Sequence, residues 1–160
     1  MSTQLEIADG GLADLPAVMS VMESAFEPRF GEAWTLSQCA GLLSMPGVWL
    51  TLARDGAGLL GFSLSRIVAD EAELLLLAVK SDAQRRGIGR ALLGAFEQAA
   101  IGRGAKRLHL EVRDGNHALN LYDGSGFTLA GRRINYYKGP DGALYDALTL
   151  ARPAIVPPAQ

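Results

Sequence analysis

The sequence predicts a mixed α/β domain, and three observations carry that prediction. An uninterrupted apolar run, Leu74 to Val79, has the length and composition of a central strand buried on both faces. It is followed by the glycine-rich basic segment Gln84-Arg85-Arg86-Gly87-Ile88-Gly89-Arg90. Ala91, Leu92, Ala95, Phe96 and Ala99 then recur at helical spacing. A strand running through a glycine turn into a helix is a building unit of α/β sheets.

The remaining elements follow in order. Leu5-Glu6-Ile7 alternates as a short first strand, and Asp14 can cap a helix through about Phe26, with Pro16 tolerated in its first turn. Thr35 and Gln38 have the spacing of a capping box for a second helix, which ends before Met45-Pro46-Gly47. Val48 to Arg54 and Leu59 to Val68, joined by Asp55-Gly56-Ala57-Gly58, read as a hairpin. The apolar strand and the helix of the basic segment come next, and Gly102 and Gly104 stop that helix. Leu108, Leu110 and Val112 alternate as a strand, and a short helix spans Leu119 to Ser125. Strands over 128–137 and 145–150 are joined by Gly139-Pro140-Asp141-Gly142. The order is β-α-α-β-β-β-α-β-α-β-β, one domain over residues 1–150. Residues 151–160, with Pro153, Pro157 and Pro158, are expected to be disordered.

Bulk properties exclude several classes of function. A chain of 160 residues buries one substantial core. Its net charge of −2 gives no general attraction to nucleic acid or anionic membranes. Neither is an expected partner, and any anion binding must be local. The single cysteine, Cys39, cannot form an internal disulfide, which suits a reducing cytoplasm. With no evident base beside it in the sequence, Cys39 reads as a small buried residue. Met1-Ser2-Thr3-Gln4 lacks the charged and apolar regions of a signal peptide, and Leu74 to Val79 is too short to cross a bilayer. A cytoplasmic protein, monomeric or weakly dimeric, is expected. Two histidines without carboxylate or thiol spacing predict no metal site; His109 reads as an edge residue and His117 as a cap.

The glycine-arginine segment is the first candidate for chemistry. Helix N-terminal N–H groups lack internal partners and carry partial positive charge. Gly87 and Gly89 have no Cβ to hold a phosphate away, and Arg85, Arg86 and Arg90 can add charge-assisted bonds. A dinucleotide fingerprint is excluded because Leu92 stands where its third glycine belongs, and a Walker loop because no Gly-Lys-Ser/Thr follows. On these residues alone, a pyrophosphate cradle and a solvated basic turn both remain open.

The spacing Gln84-x-x-Gly87-x-Gly89 resembles the coenzyme A pyrophosphate signature of the GNAT acyltransferases, and the element order is similar to theirs. The resemblance implies a mostly antiparallel central sheet, splayed at the cofactor strand and flanked by helices. It also implies acetyl-coenzyme A as co-substrate. Main-chain groups of Leu77, Ala78 and Val79 would bind the pantetheine arm, and residues Gln84 to Arg90, including Ile88, the pyrophosphate.

Within that family, "LEVRDGN" followed by "LYDGSGF" resembles the RimI-type alanine N-acetyltransferases, which modify the N-terminus of a small-subunit ribosomal protein. "DEAELLLLAV", "RRINYYKGPDGALYDALTL" and "FGEAWTLSQC" extend the resemblance over roughly residues 5–150. It assigns Glu111 as proton acceptor, Tyr122 as proton donor and Asn116 as an acetyl-coenzyme A contact. Two departures stand out. GNAT sequences usually place this Asn seven residues before the Tyr, whereas Asn116 and Tyr122 are six apart, with Gly115 at the usual Asn count. One residue rotates a helix by roughly 100 degrees, so the loop must absorb the difference if Tyr122 is to face the thiol. Leu76 stands where many relatives carry a polar residue.

Read without the family, each residue keeps a simpler alternative. Glu111 alternates with Leu110 and Val112, so it is either a cleft carboxylate or a surface glutamate paired with a cation. Tyr122 can be an acid or an aromatic packed beside Leu121 and Phe127. Trp34, Tyr136 and Tyr137 can line a peptide groove or pack in the core, and Glu73 can hold a substrate ammonium or sit solvated at a strand end. Arg132 and Arg133 read as a solvated basic pair. The expected activity is direct acetyl transfer, in a ternary complex, to a protein N-terminal amine. Its alternatives are a GNAT enzyme acting on a small amine or lysine, and a non-catalytic acyl-coenzyme A sensor.

Overall fold

The computed structural model describes residues 4–155, so Met1 to Thr3 and residues 156–160 of the tail lie outside the described residues. The observed elements are β1 (Glu6–Gly10), α1 (Leu15–Ala25), α2 (Leu36–Leu43), β2 (Val48–Asp55), β3 (Gly58–Val68), β4 (Glu71–Val79), α3 (Ile88–Gly102), β5 (Arg107–Arg113), α4 (Leu119–Gly124), β6 (Thr128–Lys138) and β7 (Leu144–Pro153). This is the order expected from the sequence, with single turns of 3-10 helix added before α1, α2 and α3. The capping box of α2 forms as its spacing predicts: Gln38 N donates to Thr35 Oγ1 at 3.1 Å, and Thr35 N donates to Gln38 Oε1 at 2.8 Å. Asp14 behaves differently. Its carboxylate reaches back to accept from Gly11 N at 2.8 Å, which closes the turn ahead of α1.

The seven strands form one mixed α/β sheet in the order β1-β2-β3-β4-β5-β7-β6. All its pairings are antiparallel except β4 with β5. One face packs on α1 and α2 through Val18, Val21, Met22, Leu50, Leu52, Phe62, Leu64 and Leu76. The other face packs on α3 through Trp49, Leu93, Phe96, Leu108 and Leu110, with Trp49 stacked on Phe96 at 6.2 Å. Each such aliphatic or aromatic side chain, fully buried, contributes about 1.5–3 kcal/mol.

A bulge explains why the apolar run of β4 shows no alternation. Leu64 pairs with Leu76 but Ser65 pairs with Leu74, leaving Leu75 as the extra residue. Before the bulge, Ala72 and Leu74 point to the α3 side; after it, Leu76 and Ala78 point to the α1 side. The bulge also bends β4 away from β5. Their parallel pairing runs from Glu71–Arg107 to Leu74–Leu110 and stops there.

The end of β7 corrects the expected disordered tail. Arg152 and Pro153 pair with Leu108 and Arg107, and Ala154 is buried. Arg152 Nη1 donates to Ser125 O at 2.7 Å and to Glu97 Oε1 at 3.3 Å. Proline is tolerated here because it falls in the last position of the strand.

Ser63 and Ser65 of β3 are fully buried, and their hydroxyls have no hydrogen-bond partner among the described residues. Leaving a buried hydroxyl unpaired costs about 1–3 kcal/mol. Ser63→Ala and Ser65→Ala are therefore expected to raise stability by up to about 1 kcal/mol each, after the loss of packing, as read by chemical denaturation. A loss of stability in both would show that the hydroxyls have partners in solution.

Candidate active site

The opening between β4 and β5 is the organising feature. Past the Leu74–Leu110 pair, Leu77, Ala78 and Val79 have a strand partner on the β3 side only. An extended ligand could therefore pair with their other edge. The carbonyl of Val79 is already partly engaged, because Gln84 Nε2 donates to it at 3.1 Å. Gln84 thus latches the basic loop onto the end of β4.

The loop then turns into α3 through Gly87, whose φ of +80 is in the left-handed region. Nothing lies within 4 Å of where a Cβ at Gly87 would sit, so the space above it is open. The first N–H groups of α3, at Ile88, Gly89 and Arg90, have no helical acceptors and no side-chain cap. Ile88 is buried in the core beside Leu92 and Val79, so its side chain anchors the start of α3 and is not itself part of the cradle. Arg85, Arg86 and Arg90 are exposed and in no ion pair among the described residues. Open space, free donors and uncommitted cations fit a pyrophosphate.

Glu111 is the first β5 residue beyond the last pair with β4. Its side chain is only 10% exposed. Thr149 Oγ1 donates to Glu111 Oε2 at 2.6 Å, and Arg133 Nε donates to Oε1 at 3.0 Å. The carboxylate is therefore largely buried at the β4–β5 opening and also paired with a cation. The Arg133 side chain is 61% exposed, so it covers the carboxylate from the solvent side.

Tyr122 is buried and meets Phe127 edge-on at 6.0 Å. The α4 helix that carries it lies against the start of α3: a Cβ at Gly89 would be 3.4 Å from Leu121 Cδ2 and 3.9 Å from Leu77 Cδ2. The tight turn before α4 has Gly115 at φ +91, with Asn116 N donating to Arg113 O at 3.0 Å. Asn116 Oδ1 accepts from Ala118 N at 2.8 Å, and Asn116 Nδ2 donates to Glu32 Oε2 at 2.8 Å. Its carboxamide builds this turn.

Glu32 was not among the residues singled out from the sequence. It is 8% exposed and also accepts from Arg113 Nε at 3.0 Å. Arg113 in turn lies 3.6 Å over the Phe30 ring, and Phe30 meets Tyr145 edge-on at 5.1 Å. The segment between α1 and α2 is thus held against β5 and the β6–β7 hairpin. Backbone packing tightens that junction. A Cβ at Gly31 would overlap the Lys138 carbonyl oxygen, and one at Gly139 would overlap the Arg29 carbonyl oxygen.

The β6–β7 hairpin carries its own irregularity. Arg133 pairs with Ala147 and Tyr137 with Tyr145, so Ile134, Asn135 and Tyr136 oppose Asp146 alone. Asp146 accepts from Asn135 N and from Arg132 Nη1, both at 2.9 Å, and these bonds hold its carboxyl below the ordinary range. Arg132 also binds Asp114 at 2.9 Å, so it is a fastener of the hairpin and not merely a solvated cation.

Tyr137 is half-buried and stands where these parts converge. Burial first, then the charge of Glu32, raises both the Tyr122 and the Tyr137 phenols above the ordinary tyrosine range; Tyr136, Glu111 and Tyr122 add to the effect on Tyr137. Both phenols therefore stay protonated when folded at a pH that ionises an exposed tyrosine. A raised folded-state pKa gives stability that is complete below the unfolded value, about pH 10, and lost as the pH rises beyond it. Denaturation curves collected from about pH 9 upward should show this loss, reduced in Tyr122→Phe. A flat dependence would contradict the burial of these hydroxyls.

Two other candidates sit apart from this cluster. Trp34 is half-buried and lines a shallow groove of about 480 Å³ on α2, with Ser37, Gln38, Gly41, Leu42 and Met45. No lining residue belongs to the Glu111–Tyr122–Tyr137 group. Glu73 is taken by Arg66 Nη2 at 2.6 Å, with His109 Nε2 at 3.8 Å, so it is not a solvated strand end. Among the described residues no helix is long and apolar enough to cross a membrane, and no group of three or more His, Cys, Asp or Glu could hold a metal ion.

The Acetyltransferase (GNAT) family profile matches residues 15–127. A ribosomal protein bS18-alanine N-acetyltransferase of Escherichia coli (strain K12) is 44% identical over 93 residues, 58% of this chain and 62% of its own length. The enzyme of that name in Haemophilus ducreyi is 38% identical over 143 residues, 82% of this chain and 98% of its own. The crystal structure of the ribosomal-protein-S18-alanine N-acetyltransferase from Escherichia coli superimposes with a TM-score of 0.83 at 32% identity, covering 97% of each chain.

Proposed function

Because the chain belongs to the GNAT acetyltransferase family, we propose that it transfers acetyl from acetyl-coenzyme A to a protein N-terminal amine, that of an alanine at the start of a small-subunit ribosomal protein. The observation that carries this reading is the parting of β4 and β5 after Leu74–Leu110, with Glu111 as the next residue at the opening. The names of the relatives that match nearly end to end support the acceptor.

Acetyl-coenzyme A, when bound, supplies the acetyl thioester. Residues Gln84 to Arg90 hold its pyrophosphate, chiefly through the N–H groups of Gly87 to Arg90, and the open edge of Leu77 to Val79 holds its arm. Asn116 contributes through the turn that sets α4. Glu111 takes the proton of the acceptor ammonium, directly or through a water. To do so directly, the ammonium must displace Arg133 from Oε1, a move that the exposure of that guanidinium permits. The amine nitrogen would then bond the acetyl carbon as the carbon–sulfur bond breaks, Tyr122 giving its proton to the departing thiolate and the second proton shed by the nitrogen on becoming an amide restoring the Tyr122 phenol. Cys39 is buried, its thiol pushed up by burial, which favours direct transfer over a covalent enzyme intermediate.

The acceptor class has structural support of its own. The segment before α2 and the β6–β7 hairpin meet backbone to backbone beside Glu32 and Tyr137. We take this junction as the roof of the acceptor site, an arrangement that suits a chain end better than a side chain projecting from the middle of a strand. Turnover should be faster for a peptide beginning with alanine than for an internal-lysine peptide or a polyamine at equal concentration. Preferential acetylation of lysine or polyamine would overturn the acceptor, and tight acetyl-coenzyme A binding without transfer to any amine would overturn the enzyme reading.

A further inference from the structure

We infer that Glu32 is a positioning residue for this reaction: by binding Arg113 of β5 and Asn116 ahead of α4 at once, it sets the roof of the acceptor site and the placement of Tyr122 together. The inference rests on the proposed acetyl transfer, and it concerns a residue to which the sequence assigned no role. Three observations on the page lead to it. The carboxylate is 8% exposed, and a buried charge persists only where its oxygens are satisfied. One oxygen accepts from Arg113 at 3.0 Å and the other from Asn116 at 2.8 Å, so a single side chain ties the α1–α2 segment to two elements distant in sequence. Its neighbours carry the same connection onward. Gly31 seats the segment on the Lys138 carbonyl of the hairpin, and Asn116 fixes the turn from which α4 and Tyr122 project.

The charge has a second consequence. The charged and titratable groups of this cluster are Glu32 of the α1–α2 segment with its partner Arg113, Glu111 of β5 with its partner Arg133, and Tyr136 and Tyr137 of β6. Of these, Glu32 is the one whose charge adds to burial in keeping Tyr122 protonated. The side chain that positions the acid thus also adds, after burial, to its protonation. A disturbance of this kind near a reacting centre costs up to roughly 10²-fold in rate.

The test uses the full-length protein and Glu32→Gln, which keeps the side chain's size and removes its charge. Steady-state rates are measured with acetyl-coenzyme A and an alanine-starting peptide, melting is followed in parallel, and tyrosinate formation is titrated by ultraviolet absorbance. Tyr122→Phe identifies which part of the titration belongs to Tyr122. The expected result is a fall in kcat of roughly 10- to 100-fold and a KM for acetyl-coenzyme A within about threefold of wild type. The Tyr122 titration should move to lower pH. If Glu32→Gln melts early, the double variant Glu32→Gln/Arg113→Met removes both members of the buried pair; it should regain stability and remain slow. Unchanged kcat in Glu32→Gln, or recovery of both stability and kcat in the double variant, would reduce Glu32 to a structural tie and overturn the inference. Should wild type fail to acetylate the peptide, the proposed function falls first. The placement of α4 then decides the inference: the near-ultraviolet circular dichroism contributed by Tyr122, taken as the difference from Tyr122→Phe, changes in Glu32→Gln if Glu32 positions Tyr122, and an unchanged difference overturns it.

Discussion

Glu111→Gln lowers kcat for acetylation of an alanine-starting peptide by roughly 10²- to 10⁴-fold, the usual loss when a positioned general base is removed. The fold survives, for reasons visible around the side chain. The amide carbonyl of a glutamine can still accept from the Thr149 hydroxyl, which sits 2.6 Å from Glu111 Oε2. The ion pair that is lost involves an arginine with 61% of its side chain exposed, and such pairs contribute about 1 kcal/mol or less. Affinity for acetyl-coenzyme A should hold, because the loop from Gln84 to Arg90 is untouched. Tyr122→Phe should slow the reaction as well, with acceptor KM little changed, since the hydroxyl acts on the leaving thiolate and not on the amine. Rates near wild type in both variants would remove Glu111 and Tyr122 from their proposed roles. A large loss in Tyr122→Phe alone would point to a water, or to another carboxylate, as the proton acceptor.

Much of this site was legible in the sequence, and the limits of that legibility have physical causes. The period-two alternation of "LHLEVR" put Glu111 opposite the core residues Leu110 and Val112, and it stands there. The capping box of α2 formed as written because its two bonds are local. By contrast, the bulge at Leu75 leaves no signal in a run of six apolar residues, although it parts β4 from β5 and reverses which face each leucine buries. The ties of Glu32 to Arg113 and Asn116 reach across 81 and 84 positions, beyond any spacing rule. What the sequence could have offered was a lone acid in "RFGEAW", between an aromatic with glycine and a tryptophan, where a solvated charge is poorly placed. Residues 151–155 at the start of the tail were misjudged because Pro153 outweighed Arg152, whose guanidinium binds Ser125 and Glu97 and holds the last strand in place.

Gly31→Ala is expected to be among the most damaging single substitutions outside the core, for a reason that separates two costs of adding one methyl group. Gly31 has φ +67, a conformation that costs an L-residue about 1–2 kcal/mol. Its Cβ would in addition overlap the carbonyl oxygen of Lys138, a backbone atom that cannot rotate aside as a side chain can. Overpacking of that kind adds about 1–3 kcal/mol. For a chain of this size the sum lowers Tm by on the order of 10 °C. Gly142 supplies the control, since it lies in the neighbouring β6–β7 turn at φ +86 with nothing within 4 Å of its would-be Cβ. Gly142→Ala should therefore show the conformational cost alone, about 1–2 kcal/mol. The difference between the two variants measures the backbone contact between the α1–α2 segment and the hairpin. If that contact is the roof of the acceptor site, Gly31→Ala also raises the KM for peptide while leaving acetyl-coenzyme A affinity at the wild-type level, because the overlap is relieved by parting the roof and the phosphate loop lies on other elements. Equal melting of the two alanine variants would mean that the segment and the hairpin do not touch in solution. Peptide affinity would then have to come from the strand floor around Glu111 alone.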